Sequence, residues 1–167
     1  DDIDICMFRK DYEKFIELFS KDEGKYKILS LESSDKYYNN FIKVIDSKTK
    51  IEDERNYKTY DSGIFIDIFP MDFFDDLSLV EKTYKLESFK LLSFSKKENI
   101  QYGDSKLKDF IRLFFWVILK PVSPRFFAKK IKKAVESYSK ENGKYLGLVG
   151  CSKWKYDDVF DYNPFEE

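Results

Sequence analysis

Gly63-Ile64-Phe65-Ile66-Asp67-Ile68-Phe69-Pro70 is the strongest strand signal in the chain, dense in β-branched and aromatic residues and closed by a proline. Successive side chains of a strand point to opposite faces, so Asp67 shares a face with Phe65 and Phe69 and is flanked by Ile66 and Ile68. Burying an ionised carboxylate among such neighbours is costly unless it finds a cation, a network of donors or a raised pKa. Two readings are open. Asp67 is either half of an ion pair or an edge residue, or it is a metal ligand or general base.

Upstream, residues 2–7 alternate acid with apolar side chains, which puts Asp2 and Asp4 on one face of a strand and Ile3 and Ile5 on the other. Two carboxylates spaced in this way suit one hard divalent cation that completes its shell with water and phosphate oxygens. Tyr12, Phe15, Ile16 and Phe19 then recur at helical spacing. Short strands are expected over residues 26–31 and 40–46, and a polar loop or ragged hairpin over 47–61.

Downstream of Asp76 the pattern becomes helical. Helices are expected over residues 77–95 and 105–119, the second stopped by Pro121. Ser123 and Pro124 supply an N-cap and a first-turn proline for a third helix, whose stripe is Phe127, Ile131, Ala134, Val135 and Tyr138 and which ends near Gly143. Residues 145–149 read as a strand and the remainder as irregular. The expected class is α+β, a small mixed sheet with packed helices, sheet-rich over 1–76 and helical over 77–143.

A chain of 167 residues fits one domain with a real core. Thirty basic residues against thirty-one acidic ones leave no footprint for nucleic acid. Histidine is absent, so any acid–base or metal chemistry must run on carboxylates, with Lys, Tyr or Cys in reserve. Cys6 and Cys151 form no metal-type spacing and suit a reducing compartment. There is no secretory signal, and the longest apolar run, residues 110–119, is too short to span a bilayer and contains Arg112. The chain opens without Met, inside what reads as a motif, and is taken as partial.

Three blocks carry a resemblance. Asp1-Asp2-Ile3-Asp4-Ile5-Cys6-Met7, with Arg9, Asp11, Tyr12 and Phe15, resembles the acidic segment of the LicD family. Phe41-Ile42-Lys43-Val44-Ile45-Asp46 followed by Thr49 looks like its next block, and residues 63–72, ending Pro70-Met71-Asp72, look like its most distinctive signature. The match covers about the first seventy residues. It implies a sheet of nucleotidyltransferase type and an enzyme that moves phosphorylcholine, or a related phospho-alditol, from a CDP-linked donor such as CDP-choline to a glycan or glycolipid acceptor. It assigns Asp2 and Asp4 to Mg²⁺ or Mn²⁺, Asp67 to the third carboxylate as ligand or base, and Lys43 to a phosphate contact. Arg9 is read either as a donor-phosphate contact or as the partner of Asp11 or another surface acid. Cys6 stands where the family has glycine and is expected to be a small buried thiol. The family's segment before the acidic strand, and its region after residue 167, are lacking here, so an inactive fragment is one expectation.

Two patterns remain. Tyr37, Tyr38, Tyr57 and Tyr60 either form a choline box or merely pack. Arg125, Lys129, Lys130, Lys132 and Lys133 flank an apolar stripe, just downstream of Phe114, Phe115 and Trp116. That helix either rests on an anionic membrane surface or is an ordinary packed helix with Lys outward. The expected function is therefore metal-dependent phospho-group transfer to a cell-surface glycan, cytoplasmic, with peripheral contact at the inner face of the membrane. Nucleotidyl transfer, or a non-catalytic membrane-surface or partner-binding module, stands as the alternative.

Overall fold

The computed structural model describes residues 3–19, 21, 24–51, 62–97, 105–151 and 159–162. Their order is β1 (Asp4–Phe8), α1 (Arg9–Phe19), β2 (Tyr26–Leu29), β3 (Ile42–Asp46), β4 (Phe65–Phe74), α2 (Ser78–Phe94), α3 (Lys106–Leu119), α4 (Pro124–Tyr138), β5 (Tyr145–Gly147) and β6 (Val159–Asp161). The class is mixed α/β, as expected. The six strands form one sheet in the order β2-β3-β4-β5-β6, with β1 against β4. Only the β1–β4 pair is parallel; the other neighbours run antiparallel.

β4 organises the molecule. Its first half is held by β1 and β3, and its last three residues pair with β5. Pro70 does not close the strand as its sequence suggests; β4 continues to Phe74. The ladder explains why. The Asp67 N–H donates to the Ile3 carbonyl at 3.0 Å, so odd-numbered residues of β4 aim their N–H groups at β1. Pro70 therefore directs its missing donor to the β3 side, beyond Ile42↔Ile68, where that pairing ends.

One core lies between α1 and the sheet. Tyr12, Phe15 and Ile16 pack on Met7, Ile28, Ile42, Val44, Ile66 and Ile68. A second forms where α2 and α4 meet the end of β4, around Phe74, Leu79, Val80, Ile131, Ala134 and Val135. Pro124 occupies the first turn of α4 as expected, but the Ser123 side chain makes no capping bond. Arg125, expected on a solvated or membrane-facing side, instead turns inward and donates to the carbonyls of Leu31, Ser34 and Tyr37, pinning the β2–β3 connection to α4. β6 lies where irregular structure is expected, because three residues are too few to show a period.

Two residues of the quoted blocks form a tie at the start of β4. The Thr49 hydroxyl donates to the Asp46 carbonyl and accepts from the Ile64 N–H, both at 2.8 Å. A Cβ on Gly63 would lie 2.2 Å from the Asp46 carbonyl oxygen and 2.6 Å from Thr49 Oγ1. Backbone oxygen cannot swing aside as a side chain does. Gly63→Ala is thus expected to destabilise the fold by about 1–3 kcal/mol, the usual cost of overpacking, read as a lower urea midpoint with unchanged slope.

Candidate functional site

Residues paired in register across neighbouring strands point to the same face of a sheet. Asp4 of β1 stands opposite Asp67 of β4, and Asp67 stands opposite Lys43 of β3. Three residues chosen from sequence thus form one row across three adjacent strands. The row lies on the face opposite α1, because α1 packs on the alternate residues Ile66, Ile68, Ile42 and Val44. Asp2 lies outside the described residues.

The pieces of the row differ in environment. Asp4 is exposed. Asp67 is 7 % exposed, and Lys43 Nζ donates to its two carboxylate oxygens at 2.6 and 2.9 Å. The same ammonium sits 3.3 Å from the centroid of the Phe65 ring and 5.5 Å from that of Phe41. Its charge is met by carboxylate on one side and by aromatic faces on the other. This answers the question raised by an acid in an apolar strand: the cation Asp67 needs is Lys43. Lys43, read from sequence as a phosphate contact, is engaged with Asp67.

The same face carries an aromatic surface. Phe41 and Phe69 lie 4.4 Å apart, Phe8 stacks on Phe73 at 5.7 Å, and Tyr162 meets Phe73 edge-on at 4.8 Å. Cys6, in register with Phe69, is also on this side and is exposed, not buried as expected. No described helix covers its face, so a small residue there gains no burial.

Arg9 pairs with a buried acid and not with Asp11 or another surface acid. Its Nε and Nη2 donate to the two oxygens of Asp72 at 2.9 and 2.6 Å, in the fork geometry that favours Arg over Lys. Asp72 is fully buried and also accepts from the Ser139 hydroxyl at 2.9 Å. Burial opposes the charge on Arg9, but the hydrogen bond and charge of Asp72 outweigh it and hold the guanidinium above its ordinary pKa. Burial likewise pushes the neighbouring Tyr12 phenol up. Sequence alone names Asp72 only as the end of a motif; its partners are 63 and 67 residues away in the chain.

Arg9, Tyr12 and Asp72 line a cleft of about 840 Å³, together with Lys27, Asn40 and Lys132, among others. It lies on the α1 side of the sheet, and Asp4, Lys43 and Asp67 do not line it. Lys132 is ion-paired with Glu32 across this cleft, and the pair holds the Glu32 carboxyl below its ordinary range despite partial burial. Tyr37 and Tyr38 are buried, which is packing and not an open aromatic box; Tyr57 and Tyr60 lie outside the described residues.

As a cation site, the row offers two hard carboxylates side by side, one already sharing its charge with Lys43. Among the described residues no group of three or more acids, cysteines or histidines converges. Two carboxylates fit Mg²⁺ or Mn²⁺ in the mode where water and substrate phosphates fill the other positions. Comparison with family models, with curated proteins and with solved structures finds no match for this chain.

Proposed function

We propose that the chain is the catalytic sheet of a metal-dependent transferase acting on phosphate esters. Within that class the reading is a LicD-type enzyme. It moves phosphorylcholine, or a related phospho-group, from a CDP-activated donor such as CDP-choline to a hydroxyl of a cell-surface glycan (lipopolysaccharide, teichoic acid or similar). One observation carries the proposal. The three sequence blocks that resemble that family become three adjacent strands, β1, β4 and β3, and bring Asp4, Asp67 and Lys43 into one row. The sheet's being of nucleotidyltransferase type belongs to the same proposal.

In this reading a sugar hydroxyl attacks the phosphorus bearing the head group. A new P–O bond to the acceptor forms, the P–O bond to CMP breaks, and the hydroxyl proton passes to a carboxylate. Asp67, at the centre of the row, is the candidate acceptor. Asp4, exposed beside it, and Asp2, two residues earlier in the sequence, are the candidate cation ligands, and Asp67 joins them in its alternative role as ligand and not base. The cation, when bound, neutralises charge developing on the bridging pyrophosphate. Lys43 holds Asp67 in place. The aromatic surface around Phe69 and Phe73 offers an apolar wall for a head group. Among the described residues no helix is long and apolar enough to cross a membrane. The proposed compartment is cytoplasmic, at the inner membrane face where lipid-linked acceptors lie.

Asp4 gives the cleanest test, because it is exposed and its loss should leave the fold intact. In the complete protein, Asp4→Ala is expected to lower CMP release from CDP-choline by roughly 10²-fold or more, with an unchanged Tm. Normal turnover in this variant would sink the proposal. Release of pyrophosphate from a nucleoside triphosphate, instead of CMP, would assign nucleotidyl transfer.

A second reading, a non-catalytic binding module, is favoured by two facts. Lys43 already satisfies Asp67, and the large cleft lies on the opposite face. Calorimetric titration of the complete protein with Mg²⁺ or Mn²⁺ and then CDP separates the two, since this reading expects no heat from either.

A further inference from the structure

The apolar side chains of α3 are turned away from the protein. None of its fourteen residues is buried; Leu107 is 68 %, Phe110 67 %, Val117 58 % and Phe114 53 % exposed, and Ile111 and Ile118 are exposed as well. At 100° per residue these six fall on one arc of about 120°. The opposite side faces the protein: the Trp116 indole donates to the Ser95 carbonyl at 3.0 Å, and Phe115 meets Phe89 of α2 at 5.7 Å between ring centres. The stripe is therefore turned outward, and the attachment is made by aromatic residues outside it, Trp116 and Phe115.

Charge follows the same geometry. Lys106 lies beside one edge of the arc, Lys108 about 60° beyond the other, and Lys120 follows the last turn, while Arg112 lies on the protein side. The single acid, Asp109, sits on the protein side and pairs with Arg112 at 3.4 Å. Four cations against one acid make this segment positive in a chain whose formal net charge is −1. We infer that α3 is an in-plane membrane anchor, its Phe-rich stripe entering the acyl boundary of an anionic lipid surface while its lysines meet the headgroups.

Length and charge select this occupant. A helix of fourteen residues is about 21 Å long, short of the ~30 Å hydrocarbon core, so it lies on the membrane and does not cross it. A second copy docking stripe to stripe would bring Lys106, Lys108 and Lys120 of both chains together with no acid of α3 on that side to offset them. The anchor also differs from the one sequence suggests. The stripe of α4 (Phe127, Ala128, Ile131, Ala134, Val135) is buried, and its Arg125 and Lys132 are engaged within the protein.

The inference does not rest on the transferase reading, and its test needs neither cation nor donor. The complete protein is sedimented with vesicles of phosphatidylcholine mixed with phosphatidylglycerol, and with phosphatidylcholine alone. Binding is expected to the anionic vesicles, weakening as salt is raised. Phe110→Ser with Phe114→Ser is expected to reduce binding at least ~10-fold while the Tm holds, since both side chains are exposed. Lys106→Glu with Lys108→Glu should abolish the preference for anionic lipid. Absence of vesicle binding, or undiminished binding by the Phe variant, overturns the inference. So does a dimer in sedimentation velocity that the Phe variant dissociates, if vesicles are not bound.

Discussion

Asp67→Ala is expected to lose both transfer and stability, and a second substitution should separate the two losses. Removing the carboxylate leaves the Lys43 ammonium buried without its partner; the two side chains are only 10 % and 7 % exposed. Breaking one side of such a pair typically costs about 3–5 kcal/mol, because the remaining charge keeps its desolvation penalty. Adding Lys43→Met removes that charge in favour of an apolar side chain beside Phe65 and Phe41. The double variant is then expected to recover most of the lost stability in chemical denaturation. Transfer should stay depressed by roughly 10²–10⁴-fold, the usual range for loss of a positioned proton acceptor. Recovery of turnover along with stability would make Asp67 purely structural, and the non-catalytic reading would gain. Asp4→Ala gives the complementary result, loss of turnover without loss of fold.

Asp72→Ala is expected to be the most damaging single change for folding on the α1 side of the sheet. Asp72 is fully buried and takes two hydrogen bonds from Arg9 and one from Ser139. These contacts tie the start of α1 and the end of α4 to β4, so their loss reaches both cores. The expected cost is again about 3–5 kcal/mol, a fall in Tm of roughly 6–20 °C for a protein of this size. Differential scanning calorimetry reads it directly. Arg9→Lys should cost less, since Lys keeps the charge and loses the fork. A Tm within a degree or two of the parent for Asp72→Ala would show that the buried pair is not a structural tie.

These expectations shift the weight of the site. From sequence, Lys43 is a phosphate contact, Arg9 either a phosphate contact or the partner of a surface acid, and Asp72 a motif's last letter. In the fold, Arg9 and Lys43 are each the countercharge of a buried aspartate on the same strand, one on either face of β4. Resemblance between short blocks therefore reports structure as much as chemistry here. Thr49 and Gly63 make the same point, since their side chain and lack of one serve the turn into β4.

Legibility follows the range of the interaction. The alternation of Asp4, Ile5, Cys6 and Met7, and the apolar run around Asp67, are period-two patterns within a few residues, so β1 and β4 can be read directly. The spacing of Tyr12, Phe15 and Ile16 identifies α1, and the stripe of α4 identifies its buried face. The same reasoning does not place the apolar side of α3, which the fold turns outward. Periodicity shows that a helix has an apolar side; it does not show whether the protein supplies something to cover it.

By itself, the sequence determined the succession of strands and helices as far as β5, the mixed class, the lack of histidine in these 167 residues and the choice of Asp4, Asp67 and Lys43 as residues to watch. Lys43 came from the resemblance of short blocks; the others rest on composition or on local repeats that backbone geometry translates directly. Only the tertiary structure decided that those three form one row, that Arg9 belongs to Asp72 instead of to a surface acid, that Cys6 is open to solvent, and that α3 and not α4 offers an apolar face outward. The physical reason is the same each time. Register, ion-pair choice and burial depend on which distant segments the fold brings together, and partners 24 positions apart, as Lys43 and Asp67 are, or 63 apart, as Arg9 and Asp72 are, carry no local sign of that meeting.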